Sequence, residues 1–453
     1  MMRQQLWNFT RAVGASLLVT LAAGPFAGAA VAAPQAQSMQ PGLPPQTTAP
    51  KAGEPGGPGL AILTAKALIC SLDGQQVQDH AVVLVRDGKI EAVLPKASTK
   101  VPADYEVLDV GASWVMPGMI DLHCHIGGTF DINDAVYLAN AGLRAKTAVI
   151  PGNRAMARGL AAGVTSVLFI PGSATNVGGE GILIKTGPKR YEDAVIRDPG
   201  SVKVAQWGNP ERWAIGVGKT FENYTIREIF TRGRAYAARW KADEEGGGAK
   251  PLVDVELEVF RQIFSHKVQV SVHTQVYQVV LATITILKGE FNTDVFIDHG
   301  EFHGFLTAEL AMKMGVNAIL GPRNVDMPSR GIIGWVGSNP ERMEGIASAY
   351  QSRGHNRIGF NTDSPVVPQE ELSLQSTMAV RHGFDDRGLE TVRGLTIIPA
   401  VTVGLGGRLG SLEPGKDADL LIVTGHPSDP RNHVQLALID GHRLYDAKEG
   451  RRW

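Results

Sequence analysis

The sequence predicts an α/β protein in which a (β/α)8 TIM-like barrel is joined to a small β-sandwich domain formed from both chain ends. Three observations support this fold class. Short apolar runs alternate with helix-like stretches through the middle of the chain, which is typical of a parallel sheet. About eight such runs occur, which is the number that a closed barrel of this type requires. Both ends of the chain instead carry alternating β-type runs with Asp-Gly turn signals.

The first 33 residues have the pattern of a secretory signal peptide. Arg3 and Arg11 precede a run of small apolar residues, and Ala30-Val31-Ala32 fits a small-x-small cleavage site. Residues 34–59 are rich in Pro, Gly, Gln and Thr, and they predict a disordered linker. We therefore expect export, most simply to the periplasm, with no stable membrane insertion after cleavage. An uncleaved membrane anchor is the alternative interpretation of the leader.

The globular part is expected to divide into two domains. Residues 60–114 and 408–450 have the β-type texture and are assigned to the β-sandwich domain, and residues 115–407 are assigned to the barrel. The strand-like runs assigned to the barrel are MIDLHCH (119–125), GVTSVLFI (163–170), GILIKT (181–186), SVKVAQW (201–207), VQVSVH (268–273), DVFIDH (294–299), VNAILG (316–321) and NRIGFNTD (356–363).

The composition narrows the possible partners. The 453 residues include 44 Lys and Arg against 45 Asp and Glu, so the formal net charge is −1. This balance does not favour nucleic acid or an anionic membrane surface as a partner, and we expect a small-molecule substrate. Two cysteines are too few for a disulfide framework. Cys124 lies between two histidines, and we expect both it and Cys70 to be free thiols. The oligomeric state is left open, and an oligomer is compatible with the sequence.

The candidate chemistry begins with a His-x-His pair at the end of the first barrel run. Alternate side chains of a strand share a face, so His123 and His125 point the same way, into the barrel mouth. Taken alone, such a pair is more often exposed or satisfied in a core than a metal site. Three other runs, however, end in His273, His299 and Asp363. Because barrel active sites assemble at the C-terminal ends of the strands, these five residues predict a metal centre.

Several motifs resemble those of the amidohydrolase superfamily, in particular its imidazolonepropionase-like and prolidase-like branch. They cover nearly all of residues 60–445 and read WVMPGMIDLHCHIG, GVTSVLFIPGSATNVGGEG, VQVSVH, VFIDHGE, GFNTDSP and GRLGSLEPGKDADLLIV. The resemblance implies that His123, His125 and Asp363 hold the more buried metal. It also implies that His273 and His299 hold a second metal in members with two ions. In members with one ion, the first of these two ligates it and His299 lies beside the reacting carbonyl.

One departure from the family pattern concerns the number of metal ions. The fourth strand of similar proteins carries a glutamate that bridges two metals, and Gly208 stands at that position here. Lys203 is a candidate replacement, since some superfamily members use a carboxylated lysine on this strand, although by strand parity it faces away from Gly208. Glu180 is a second candidate. We expect one ion, with two as the alternative, and zinc as the first candidate among divalent metals with imidazole and carboxylate ligands.

These residues predict an exported metal-dependent amidohydrolase that hydrolyses an amide-like C–N bond, such as that of a cyclic amide or a dipeptide. A bound divalent ion lowers the pKa of water to about 7 in the best-studied zinc sites. Asp363 would act as general acid and base, and His299 would help to polarise the carbonyl. A deaminase with one metal needs the same residues. A non-catalytic binding protein of the same fold is favoured by Gly208 and opposed by the five intact ligand candidates.

Overall fold

The computed structural model describes residues 57–128, 132–206, 218–326 and 343–449. The predicted signal peptide lies outside the described residues, as does the predicted linker except for its last three positions. The predicted domain boundaries stay predictions. Within the described ranges, every helix is too short or too polar to cross a membrane.

The chain forms eighteen strands in the described ranges. They are β1 (Gly59–Leu68), β2 (Val77–Arg86), β3 (Lys89–Pro95), β4 (Tyr105–Asp109), β5 (Trp114–Pro117), β6 (Met119–Cys124), β7 (Val164–Phe169), β8 (Val177–Lys185), β9 (Val195–Ala205), β10 (Gln269–Thr274), β11 (Val295–His299), β12 (Ala318–Leu320), β13 (Val325–Asp326), β14 (Glu344–Gly345), β15 (Ile358–Phe360), β16 (Leu420–Val423), β17 (Val434–Ile439) and β18 (His442–Asp446).

Ten α-helices lie between and after the barrel strands. They are α1 (Arg154–Ala161), α2 (Tyr191–Ala194), α3 (Lys219–Glu244), α4 (Glu258–Phe264), α5 (Tyr277–Ala282), α6 (Ala308–Lys313), α7 (Ile346–Ser352), α8 (Leu372–Arg381), α9 (Glu390–Leu395) and α10 (Ile397–Thr402). A π-helical segment, Thr283–Glu290, continues α5. Short 3-10 turns span Lys96–Ser98, Ala145–Ala148, Gly304–Thr307 and Gln369–Glu371.

The predicted barrel is present as an eight-stranded sheet in the order β15-β12-β11-β10-β9-β8-β7-β6. Its two edge strands approach each other, because the backbone N–H of His125 donates to the carbonyl of Ser364 at 2.8 Å. The sheet is therefore nearly closed. Every residue of β6, β7, β10 and β11 is buried, as expected for strands covered on both faces.

The expectation of a wholly parallel barrel is wrong at one strand. β8 runs antiparallel to both β7 and β9, whereas the other neighbouring pairs of this sheet are parallel. The physical reason is the length of the connection. Residues 170–176 join β7 to β8, and a parallel neighbour would need a crossover of a dozen or more residues.

Strands from both chain ends pair into one further sheet of eight strands. Its order is β18-β17-β16-β5-β1-β2-β3, and β4 also pairs with β1. The two ends meet where Leu420 of β16 lies opposite Pro117 of β5. The two chain ends therefore associate, as the sequence predicts. The described strands from these two ends form a single sheet, so a sandwich of two packed sheets stays a prediction.

A buried ion-pair cluster joins this terminal sheet to the barrel. Lys185, the last residue of β8, places its Nζ 2.9 Å from Asp417, 3.1 Å from Asp419 and 2.6 Å from Asp440. Burial acts to lower the pKa of Lys185, but the three carboxylates raise it above its usual value. The ammonium is therefore charged, and it holds three residues of the terminal sheet and its turns against the barrel wall.

Candidate metal centre

All six predicted site residues lie on the barrel strands or directly after them. His123 is in β6 and His125 just beyond it, Lys203 is in β9, His273 is in β10, His299 ends β11, and Asp363 follows β15. Nearly all residues of these strands and strand ends are buried. Each polar side chain there therefore requires a hydrogen-bonding or charged partner. Those partners are mainly one another.

Two groups of side chains have ligand atoms within 4.8 Å of one another. The first group is His123, His273 and His299, and the second is His123, His125 and Asp363. The Nε2 atoms of His123 and His125 are 3.0 Å apart. One carboxylate oxygen of Asp363 lies 3.1 Å from the first of these atoms and 3.3 Å from the second. His123 is common to both groups and is fully buried.

The Nδ1 contacts of three rings indicate which ring nitrogen faces the centre. Nδ1 of His125 contacts the carbonyl of Ile170 at 2.9 Å, and Nδ1 of His299 contacts the carbonyl of Gly321 at 2.7 Å. A carbonyl can only accept, so each of these nitrogens must donate. Nδ1 of His123 likewise lies 2.6 Å from the carboxylate of Asp298. In the neutral rings, all three Nε2 atoms therefore carry lone pairs.

The facing lone pairs provide a test of whether a metal fits. Two bare nitrogens 3.0 Å apart, as in His123 and His125, repel each other unless a cation lies between them. Ligand nitrogens about 2.0–2.1 Å from a zinc ion are separated from one another by about 3 Å. The donor set of imidazole nitrogens and one carboxylate therefore fits a divalent metal ion, and the orientation of the Nδ1 donors favours ligation.

His273 presents the opposite ring nitrogen. Its Nδ1 lies 3.0 Å from Nε2 of His299 and 2.8 Å from the hydroxyl oxygen of Ser173. Burial, followed by the neighbouring His299, holds the pKa of His273 well below its usual value. Burial also lowers the pKa of His299 to about 4. Both rings are therefore neutral near pH 7, which is the form that binds metals.

The backbone of β11 explains how consecutive residues both reach the centre. Adjacent side chains of a regular strand point to opposite faces, so Asp298 and His299 would normally diverge. His299 instead has φ of 80°, in the left-handed region that non-glycine residues seldom adopt. This turn of the chain re-aims the imidazole into the barrel mouth. Asp363 has φ of 48°, and strained residues of this kind cluster at functional sites.

Asp363 is a carboxylate under these conditions. Burial acts to raise its pKa, but His123 and His125 hold it well below its usual range. The segment before it is fixed to the first barrel strand, because the Thr362 hydroxyl donates to Asp121 at 2.6 Å. An ionised and positioned carboxylate beside the imidazoles can both bind a cation and accept a proton.

The side chain of Lys203 lies at the candidate centre. Strand parity predicted only that it faces away from Gly208. It is fully buried, and its Nζ is 3.2 Å from Nε2 of His123. Burial lowers the pKa of Lys203, so a neutral amine is more accessible here than at a surface lysine. Gly208 itself lies outside the described residues. Glu180 does not join the cluster, since its carboxylate lies 3.3 Å from Arg144 instead.

Both cysteines are free thiols, as the sequence predicts. Burial raises the pKa of each thiol to about 12. The thiolate is the form that binds metals, so Cys124 is not suited to ligation although it lies between His123 and His125.

Sequence reasoning missed two residues at the centre. Asp298 contacts the His123 ring, and Ser173 contacts the His273 ring. A signal for the first was present, because DVFIDH places an aspartate inside an otherwise apolar strand, where an ionised side chain needs a partner. Ser173 lies in the loop after β7, and loop residues of this type give no pattern that distinguishes a site contact.

Comparison with known proteins identifies similar sequences along most of the chain. A family model described as the amidohydrolase family matches residues 335–443. An amidohydrolase of Hapsidospora irregularis is 25% identical over 407 residues, which is 80% of this chain and 40% of the relative. This chain thus spans about two fifths of the length of that relative. A dihydroorotase of Pelotomaculum thermopropionicum is 24% identical over 78% of this chain and 87% of its own length.

A solved structure agrees with the fold. The crystal structure of an amidohydrolase from Thermotoga maritima superposes with a TM-score of 0.74 at 27% identity, over 85% of this chain and all of that one. The similarity therefore extends over most of the chain rather than over a single motif.

Proposed function

We propose that this chain, which belongs to the amidohydrolase superfamily of hydrolases that act on carbon–nitrogen bonds, hydrolyses an amide-like C–N bond in a small molecule at a divalent-metal centre. The observation that carries the proposal is the convergence of four imidazoles, one carboxylate and a buried lysine within the barrel mouth. The residues that would hold the metal are His123, His125, His273, His299 and Asp363, with zinc as the first candidate.

The charges of the centre support one ion in the unmodified protein. Asp363 is the single carboxylate within the two groups of candidate ligands. Two divalent ions would need more negative charge close by. Lys203 could supply it only by reacting with carbon dioxide, in which its neutral amine forms an N–C bond and releases one proton to give a carbamate. The proposal is therefore one ion with a free Lys203 amine, and two ions only where that lysine is carboxylated.

When bound, the metal supplies a Lewis acid that lowers the pKa of water and polarises a carbonyl. The chain supplies the proton transfers and the orientation. Asp363 is held as a carboxylate and takes the proton of the attacking water, then passes it to the leaving nitrogen. His299 is kept neutral, and its Nδ1–H donates to the carbonyl of Gly321, so its Nε2 presents a lone pair that suits metal ligation and cannot donate to a carbonyl oxygen. Polarisation of the carbonyl would therefore come from the bound ion.

Export forms part of the same proposal and rests on the leader sequence alone. The N-terminal sequence of protein recovered from the exported fraction tests it. A start near residue 33 supports cleavage, and an intact leader contradicts it.

The test of the reaction compares three chemistries that the centre could support. Purified protein is assayed with cyclic amides of the dihydroorotate type, with dipeptides and with aminopurines. Ring opening yields a carboxylate without ammonia, peptide hydrolysis yields a free amine, and deamination yields ammonia. We expect one of the first two products, its loss on chelation and its recovery with added Zn²⁺. Ammonia release would favour the deaminase. No turnover in a metal-loaded protein would favour the non-catalytic binding protein.

A further inference from the structure

We propose that Asp298 is a positioning residue that fixes His123 in its metal-binding orientation, and that Asn361 in turn holds Asp298. This inference rests on the proposed metal centre. It concerns a residue that was not among the expected ligands and that contacts the centre through another side chain.

The contact between the two side chains is close and dry. The carboxylate of Asp298 lies 2.6 Å from Nδ1 of His123, and neither side chain is exposed to solvent. A carboxylate can only accept, so in the neutral ring that a metal ligand requires, the proton lies on Nδ1, the nitrogen next to Asp298. Nε2 is then bare and faces the cluster. Without Asp298, the proton could occupy either nitrogen. The tautomer with the proton on Nε2 would have no lone pair facing the centre and could not ligate a metal there.

The position of Asp298 also suits this role, because its carboxylate lies directly behind a ring whose Nε2 faces the candidate centre. An anion in that position increases the basicity of the imidazole and so strengthens its bond to a metal.

Asn361 connects Asp298 to the neighbouring part of the barrel wall, formed by β12 and β15. Its side-chain amide donates to Asp298 at 3.3 Å and to the carbonyl of Ile319 at 2.9 Å. Asn361 is fully buried and lies two residues before Asp363. The same turn therefore carries both a proposed ligand and the support for the residue behind another ligand. His123 is held from β6, β11 and the segment after β15 at once.

The test measures metal affinity in Asp298→Asn against a matched control. Asp326→Asn makes the same chemical change at another buried position, where the carboxylate accepts from the backbone N–H groups of Phe302 at 3.1 Å and His303 at 2.6 Å and contacts none of the candidate ligands. Zinc dissociation constants are measured by competition with a chromophoric chelator at one fixed pH. We expect Asp298→Asn to weaken binding by about 10–100-fold. We expect Asp326→Asn to change it by less than about threefold, since that carboxylate does not contact a ligand ring.

A spectroscopic readout separates positioning from general loss of structure. In the Co²⁺-loaded wild-type protein, the Nδ1 protons of ligand histidines give exchangeable resonances shifted far from the rest of the proton spectrum. One of them should be lost or moved in Asp298→Asn and retained in Asp326→Asn. Equal metal affinities and unchanged resonances in both variants would overturn the proposal.

Asn361→Ala keeps the inference testable if Asp298→Asn does not fold. It should weaken zinc binding in the same direction and by a smaller factor, and unchanged affinity would contradict the role of Asn361 and of Asp298 behind it. Failure of the proposed function gives a different result, because the wild-type protein itself would then bind no zinc.

Discussion

Replacing Lys185 by Met should destabilise the protein through the joint between the barrel and the terminal sheet. Methionine retains the length of the side chain and removes its ammonium. Three aspartates, Asp417, Asp419 and Asp440, lie within 3.1 Å of that ammonium, and its side chain is 2% exposed. Removing one partner of a buried ion pair costs about 3–5 kcal/mol, because a charge is left buried and unpaired.

The size of the loss in stability depends on which of the three aspartates keep another cation after Lys185 is replaced. Asp417 keeps two cations, Lys89 at 2.5 Å and Arg408 at 2.9 Å, so its charge stays compensated. Asp419 is buried and keeps no cation of its own among the described ion pairs once Lys185 is gone. Burial already raises the pKa of Asp419 to about 6, so it can take up a proton when Lys185 is absent. We therefore expect a larger loss above that pH than below it.

The assay is chemical denaturation of the metal-loaded protein, with Lys241→Met as control. Lys241 lies 3.8 Å from Glu245, and the two side chains are 74% and 66% exposed. Exposed pairs of this kind contribute about 0–1 kcal/mol, so the control should match wild type closely. The denaturation midpoint of Lys185→Met should fall with an unchanged slope. A loss in the free energy of unfolding below about 1 kcal/mol, both below and above pH 6, would refute the assignment of this cluster as a buried joint.

Three further changes have defined outcomes. His123→Ala should abolish both bound metal and turnover, as measured by elemental analysis and substrate assay, because this ring belongs to both groups of candidate ligands; retained metal would contradict its role. Asp363→Asn should keep the fold and lose about 10²–10⁴-fold in kcat, the usual contribution of general acid–base catalysis, and full activity would contradict the assignment. Glu180→Gln should remove a pH dependence of stability. Burial raises the pKa of Glu180 to about 7, so its stabilising contribution is complete below its unfolded pKa, about 4.3, and is lost as the pH rises through 7. The unfolding midpoint of the variant should be flatter over this range, and an unchanged profile would show that another group is responsible.

The residue pattern predicts much of the metal centre because two simple rules apply to it. Side chains two apart on a strand share a face, which brings His123 and His125 together. Residues at the C-terminal ends of barrel strands meet at one face of the barrel, which adds His273, His299 and Asp363. Neither rule requires knowledge of the helices or of the loop conformations.

Other features depend on information that a residue pattern does not contain. The period of an apolar run identifies β8 as a strand but does not give its direction, which follows from the short connection before it. The left-handed φ of His299 cannot be read from its residue type, and without it Asp298 and His299 would not both face inwards. Glu180 was a plausible ligand from its motif, but Arg144, distant in sequence, provides its ion pair.

Metal content per chain tests the central claim most directly. Protein purified without chelators is analysed for divalent metals before and after reconstitution with Zn²⁺, in parallel with His123→Ala. The account predicts about one ion per chain in the wild type and a nearly metal-free variant. About two ions, together with a mass increase at Lys203 from carbon dioxide, would replace the single-ion form by the carboxylated one. No bound metal in the reconstituted wild type would contradict the proposal that this barrel mouth is a hydrolytic metal centre.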